Sequence, residues 1–347
     1  MKEVATIGLD IAKQVFQAHG ADAQGKSLFN KKLRRVEVKS FFEKLPPCIV
    51  GIEVCSSAHH WAREIGALGH DVKLIPAQYV KPFVKRGKTD ATDAEAINTA
   101  LVHASMHFVP VKTREQQAVT IRIKTRALLV RQRTKAINAL RAHLAEFGLI
   151  VPQGNANWDT LAEKIDAKDD EQLPPNAVSS LSIINEQIKA LSEQIGKLDK
   201  EIALHAKQDE DISRLTTIPG VGPLIASTIK AYVPNAGLFK SARHFAAWLG
   251  LAPKTRSTGG VSRLGRISKM GNKELRSLLV LGARSAIASA RKREKAQSWL
   301  KRLISRRPYR VVAVAFANKT ARIIWALLKK GGIYMQRDEP LAEPSIG

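Results

Sequence analysis

The stretch CIVGIEVCSS, residues 48–57, decides how the first third of this chain is read. Cys48-Ile49-Val50-Gly51-Ile52 has the length and the β-branched content of a buried strand. Glu53 ends it, and the small residues Cys55, Ser56 and Ser57 follow before a helical pattern begins. Desolvating an unpaired carboxylate is costly. An acid at the end of a core strand therefore needs a reason.

Outward from this strand, two-residue and 3.6-residue periods alternate. Residues 4–9, 14–19 and 27–33 read as strands, 36–45 as a helix, 58–68 as a second helix and 72–75 as another strand. Three early strands followed by alternating strands and helices predict an α/β domain with a mixed sheet over residues 1–112.

The 347 residues carry 56 Lys and Arg against 31 Asp and Glu, a formal charge of +25, and the pI is near 10.2. Hydrophobic residues make up 44%, enough for folded cores, which excludes a basic disordered tail. The charge implies a polyanion, with nucleic acid first among the partners. Aromatic residues are only 5%, which argues against an extensive base-stacking platform for single strands. Residues 1–10 lack the features of a signal peptide, and no apolar run approaches the roughly 18 residues of a membrane span, so the expectation is a cytoplasmic protein with no membrane partner. Cys48 and Cys55 lack the spacing of a disulfide framework or a zinc site.

From Thr113 the pattern is helical for about three dozen residues. Residues 151–175, with Pro152, Gly154, Pro174 and Pro175, read as a linker. A second helix carries Leu181, Ile184, Ile188, Leu191, Ile195, Leu198 and Ile202, a heptad seam alternating steps of three and four. The seam suits either a hairpin within one chain or a coiled coil between chains. Residues 113–209 are thus expected to form a helical, coiled-coil arm.

Residues 210–335 form a third, helical unit, and 336–347 read as a disordered tail. It opens with LTTIPGVGPLIASTI (215–229), where Gly220 and Gly222 sit between helical segments as in a helix-hairpin-helix, a grip on phosphate at a helix start. A tight interhelical turn wants the same glycines. Residues 254–310 hold seventeen Lys and Arg against Glu274 and Glu294 alone, too one-signed for a merely solvated face. Trp248 reads as core, with Phe245 one helical turn earlier, and His59 and His60 as packing or capping residues.

Glu53 has company. Asp10 ends the first strand in IGLDIAK, and KTDATDAEA (88–96) places Asp90 and Asp93 three apart at a helix start. Each has a dull explanation, Asp90 as an N-cap and Asp10 as a turn residue. Clustered, they would repel unless cations lay between them, and a pair of divalent ions would reconcile them around a phosphodiester.

An early Asp after a first strand, a Glu ending a later one and an Asp-x-x-Asp pair on a helix resemble the DEDD arrangement of RuvC-like, ribonuclease-H-fold nucleases. GLDIAK, GIEVCSSAHHWARE, GKTDATDAEA, IPGVGPLIAS, FAAWLGLAPKTRSTGG and LGRISKMGNKELRSLL, in that order, more closely resemble the DEDD transposases of one large insertion-sequence family, regarded as bridge-RNA-guided recombinases. The resemblance implies that Asp10, Glu53, Asp90 and Asp93 bind Mg2+, with Mn2+ as an alternative. It also implies a serine nucleophile in the carboxy-terminal domain, donor and target double-stranded DNA, a guide RNA, and a homo-oligomer, dimer or tetramer, whose half-sites act across protomers.

For the nucleophile, Arg256-Ser257-Thr258-Gly259-Gly260 departs from a simple Ser-Gly pattern. Counting back from Lys269-Met270-Gly271 favours Ser257; adjacency to Gly259 favours Thr258. Ser257 is the expectation, with Arg256, Thr258, Gly259, Arg263, Arg266 and Lys269 on the nucleic acid. A hydroxyl needs activation before it attacks, and no His lies nearby in sequence. The same letters suit a turn that grips phosphate in a hydrolytic junction resolvase. A basic architectural protein is a third reading, and the placement of the four acids speaks against it. Lys31-Lys32-Leu33-Arg34-Arg35 and residues 81–88 are the stretches that would hold RNA.

Overall fold

A computed structural model describes residues 3–85, 87, 89–150, 173–233, 235–258, 261–292 and 298–335. The expected tail and most of the expected linker lie outside these residues. The chain divides into two compact units, Met1–Glu115 and Gln116–Gly347.

The first unit is built on a five-stranded mixed sheet. Its strands are β1 (Thr6–Ile11), β2 (Val15–Ala21), β3 (Ser27–Arg34), β4 (Ile49–Glu53) and β5 (Asp71–Ile75), in the order β3-β2-β1-β4-β5. The pairs β1–β2 and β2–β3 are antiparallel, whereas β4 runs parallel to both β1 and β5. Ile7, Leu9, Phe16, Val50, Ile52 and Leu74 are buried in one core with α1 (Val38–Glu43) and α2 (Ala58–Gly66). Val50, Gly51 and Ile52 are buried, as an apolar run covered on both faces requires, and only Ile49 at the strand's start is exposed.

A short helix, α3 (Ala77–Val80), leads to α4 (Asp90–Leu101), which packs on the sheet's other face. Gly8 makes that packing close: a Cβ there would collide with the Ala94 carbonyl and lie 2.9 Å from Asn98 Cβ. The obstacle is helix backbone, which cannot swing aside. Gly8→Ala is therefore expected to destabilise the unit by about 1–3 kcal/mol, lowering its thermal midpoint by several degrees. Gly66→Ala, with nothing within 4 Å, serves as the neutral control.

In the second unit α5 (Arg114–Ala145) and α6 (Pro175–Gln208) lie antiparallel. Arg126 Nη2 donates to Asp199 Oδ2 at 3.1 Å, Arg133 Nη1 to Ser192 Oγ at 3.3 Å, and Arg122 pairs with Glu201 at 3.2 Å. Leu181 and Ile188 of the heptad seam pack on Ile137, Leu140 and Leu144. That part of the seam is filled within the chain.

Beyond the hairpin, α7 (Glu210–Thr216), α8 (Pro223–Tyr232), α9 (Ala242–Trp248), α10 (Lys273–Lys292), α11 (Ser298–Arg306) and α12 (Tyr309–Lys330) enclose a second core around Ile212, Ile229, Phe245, Leu279, Ile287 and Phe316. Trp248 stacks on Phe245 at its edge, with ring centroids 5.9 Å apart. One expectation is refined and one corrected. Within the expected helical unit, residues 253–267 form a hairpin, β6 (Pro253–Thr258) and β7 (Val261–Ile267). Alternating Thr and Arg residues around Gly259-Gly260 carry that hairpin signal, which the density of positive charge obscures. Second, α12 is long and apolar enough to span a bilayer, contrary to the expectation that no such run exists. Its buried residues Val312, Ala313, Phe316, Ala317 and Ile324 pack into the second core, and Arg310, Lys319 and Arg322 interrupt its sequence.

Candidate nucleic-acid processing sites

The acids come first. In the parallel pair, Thr6 is registered with Ile49, Ile7 with Val50, Gly8 with Gly51 and Leu9 with Ile52. Asp10 and Glu53 are the next residues on the two strands, whose axes lie about 4.8 Å apart. Side chains alternate along a strand, so Asp10 shares the face of Gly8, and Glu53 that of Gly51. Both glycines face α4, since a Cβ on Gly51 would lie 3.2 Å from Leu101 Cβ. The two carboxylates thus stand on the sheet face that α4 covers. Both are half-buried.

Helix α4 brings the other two. Its N-cap is Thr89, whose side chain accepts from the Thr92 N–H at 3.2 Å. Asp90 is thereby released from the capping role that its position in sequence suggested. Asp90 and Asp93 both lie in the first turn, where the helix dipole favours negative charge. Asp93 directly precedes Ala94, whose carbonyl lies against Gly8, two residues before Asp10. A polar chain holds this turn to the sheet: Gln17, registered opposite Asp10, donates to Asn30 Oδ1, and Asn30 Nδ2 donates to the Ala91 carbonyl at 3.3 Å.

Asp10, Glu53, Asp90 and Asp93 are ligands of the type a hard divalent ion takes, carried on three mutually packed elements. Among the described residues, no group of three or more His, Cys, Asp or Glu is placed to hold a metal ion. The fit rests on donor chemistry and backbone placement. Nearby, His59 Nδ1 accepts from the Lys112 N–H at 3.2 Å, and His60 lies 4.0 Å from Glu64. Cys55 is exposed, while burial raises the Cys48 thiol to a pKa of about 11. The basic stretch of β3 has partners of its own: Arg34 pairs with Glu37 at 2.6 Å, and Arg35 lies over the Trp61 ring at 5.2 Å.

The second constellation is the β6–β7 hairpin. Its register sets Thr255 opposite Leu264, Arg256 opposite Arg263, Ser257 opposite Ser262 and Thr258 opposite Val261. Ser257 is exposed. Lys254, Arg256, Arg263, Leu264, Arg266 and Lys269 line a groove of about 570 Å³. Ser257 is next in sequence to a lining residue and is not itself in the lining. Gly259 lies outside the described residues.

The base of the hairpin is held firmly. The Ser268 N–H donates to the Ala252 carbonyl at 2.8 Å and the Lys269 N–H to that of Gly250 at 3.1 Å. Arg276, 9% exposed, reaches from α10 to donate to both the Leu249 and Met270 carbonyls at 3.0 Å. Lys269 has φ of 56°, the one non-glycine residue with positive φ among the described residues. That backbone costs about 1 kcal/mol for an L-residue, stored at the groove's rim. The sequence reading missed Lys254, Arg276 and Arg284. Ser277, Leu281 and Arg284 share a helical face and line an adjoining groove, a phase that counting charges in a block does not reveal.

Of the two hairpin-turn glycines, Gly220 has φ of 81° and is packed: a Cβ would collide with the Gly282 carbonyl of α10 and lie 3.1 Å from Ala286 Cβ. Gly222, the N-cap of α8, has nothing within 4 Å. Only Gly222 leaves room for an approaching phosphate.

Comparison with known proteins was consistent across the chain. A family model described as "Transposase IS116/IS110/IS902 family" matches residues 212–298, and a DEDD-type model described as "Transposase" matches residues 7–148. A "Probable family 20 transposase" of Pseudomonas aeruginosa is 46% identical over 333 residues, covering 95% of this chain and 98% of its own. The "Transposase for insertion sequence element IS1328" of Yersinia enterocolitica is 40% identical, covering 96% and 99%. The "Transposase for insertion sequence element IS1111A" of Coxiella burnetii is 39% identical, covering 96% and 92%.

Proposed function

This chain belongs to the IS116/IS110/IS902 family of transposases, enzymes that cut and rejoin DNA, and from that premise we propose that it recombines donor and target duplexes through a carboxylate half-site and a serine half-site. The observation that carries the reading is the parallel register of β1 and β4, which ends both strands in an acid on the face covered by the Asp90/Asp93 helix. The mixed sheet supports a RuvC-like, ribonuclease-H-fold assignment for this unit.

Asp10, Glu53, Asp90 and Asp93 are the residues that would hold Mg2+, with Mn2+ as the alternative, and the ion would supply charge neutralisation at a phosphodiester. Ser257 Oγ forms a bond to phosphorus as the bridging P–O bond of the DNA strand breaks. The serine proton leaves to solvent or base, and the cut strand keeps a free hydroxyl. Arg256, Arg263, Arg266 and Lys269 neutralise the charge that develops. The phosphoserine link conserves the energy of the broken bond, so a different hydroxyl end can displace Ser257 without ATP.

Gly222 at the start of α8 supports a helix-hairpin-helix contact to backbone phosphate. The protein acts in the cytoplasm as a dimer or tetramer, to which the coiled-coil arm contributes, and takes its sequence specificity from a bridge RNA. The test of guidance is co-purification: express the protein with its flanking DNA, purify it without nuclease, and sequence the bound nucleic acid. A discrete RNA mapping beside the gene is expected. Random fragments alone would overturn guidance and favour a hydrolytic junction resolvase.

A further inference from the structure

We propose that Leu264 is a wedge that enters the base stack of duplex DNA beside the phosphate attacked by Ser257. The proposal rests on the reading of the β6–β7 hairpin as the DNA-cleaving surface. Leu264 is 75% exposed, and a leucine left in water forgoes about 2 kcal/mol of burial free energy. Its surroundings are cationic: Lys254, Arg256, Arg263, Arg266 and Lys269 line the same groove. Ile267 also lines the groove but is half-buried, so Leu264 is the exposed apolar side chain within a basic rim, an arrangement that does not suit an apolar protein surface. It suits a ligand with phosphates outside and stacked apolar faces within, and duplex DNA has that construction.

Register supplies the position. Leu264 is opposite Thr255, and Ser257, two residues along β6, shares that face. Leu264 is thus the diagonal neighbour of Ser257, about 7–8 Å away between backbones. A two-stranded ribbon fits a DNA groove, and apolar wedges flanked by arginine unstack a base step and kink the duplex. Such a kink at the scissile step opens the strand to the serine and favours deformable steps.

The test uses the full chain at low salt with 30-base-pair duplexes, fully paired or carrying one central mismatch next to 2-aminopurine. The wild type is expected to bind the mismatched duplex about tenfold more tightly, because part of the unstacking cost is already met, with a rise in 2-aminopurine fluorescence. Leu264→Ala loses both the preference and the fluorescence rise. Leu264→Phe, a larger wedge, retains them, as does Leu238→Ala, an exposed leucine outside the groove. Absence of the preference in the wild type, or its survival in Leu264→Ala, overturns the wedge. If Arg256→Ala, Arg263→Ala and Arg266→Ala combined leave paired-duplex affinity unchanged, the hairpin is not the DNA surface and the underlying reading falls instead.

Discussion

Ser257→Ala is expected to abolish the covalent protein–DNA adduct and to lower recombination by about 10³-fold or more, with DNA affinity unchanged. The hydroxyl is the attacking atom, and nothing that replaces it in alanine can form a phosphoester. Affinity survives because it comes from Lys254, Arg256, Arg263, Arg266 and Lys269, which the substitution leaves in place. Thr258→Ala is the decisive companion. Strand alternation puts positions 257 and 258 on opposite faces of the hairpin, and a hydroxyl is too short to reach round the ribbon's edge as an arginine does, so one substrate phosphate cannot be attacked equally from both. Adduct retained in Thr258→Ala and lost in Ser257→Ala assigns the nucleophile. The reverse result moves the reacting face to the other side of the ribbon and removes Leu264 from it. No adduct with any variant or the wild type, under conditions where strands are cut, means hydrolysis.

How much of this was legible in the letters depends on how local each signal is. The run at 49–52 ending in Glu53 revealed its strand because burial on both faces needs consecutive apolar residues. The pairing of that strand with β1 is a long-range fact that the acid ending each strand does not by itself supply. What was not legible is Gly8. Its importance lies in the Ala94 carbonyl above it, some ninety residues away in sequence, and no local pattern carries that contact. Thr89 and Asp90 show the opposite error. Both residue types cap helices, and only the backbone decides between them. The hairpin at 253–267 was hidden by its composition, since its exposed basic residues erase the alternation of apolar and polar residues by which a half-buried strand is recognised. Gly220 and Gly222 look equivalent in Pro-Gly-Val-Gly, but a helix fills the space above one and leaves the other open.

Asp10→Asn and Glu53→Gln are each expected to lower strand cleavage by about 10³-fold or more, and the double variant to lose little beyond either single one. Groups that act as one constellation are not additive. Their stabilities separate metal binding from scaffolding. In metal-free buffer the repulsion between carboxylates on neighbouring strand ends is set against the partners that each acid has within the fold, so the response to added metal is the discriminating readout. Asp90→Asn and Asp93→Asn remove charge from the first turn of α4, where it is favourable by about 0.5 kcal/mol, and lower the midpoint slightly. Added Mg2+ stabilises whatever folded state binds it. It is therefore expected to raise the midpoint of the wild type and not that of the Asp10→Asn/Glu53→Gln double variant. A scaffold role for these acids predicts a midpoint that responds to Mg2+ alike in the wild type and the double variant. Cleavage that persists in the double variant would place the metal elsewhere in the chain, and Glu53 would then end its strand for reasons of packing alone.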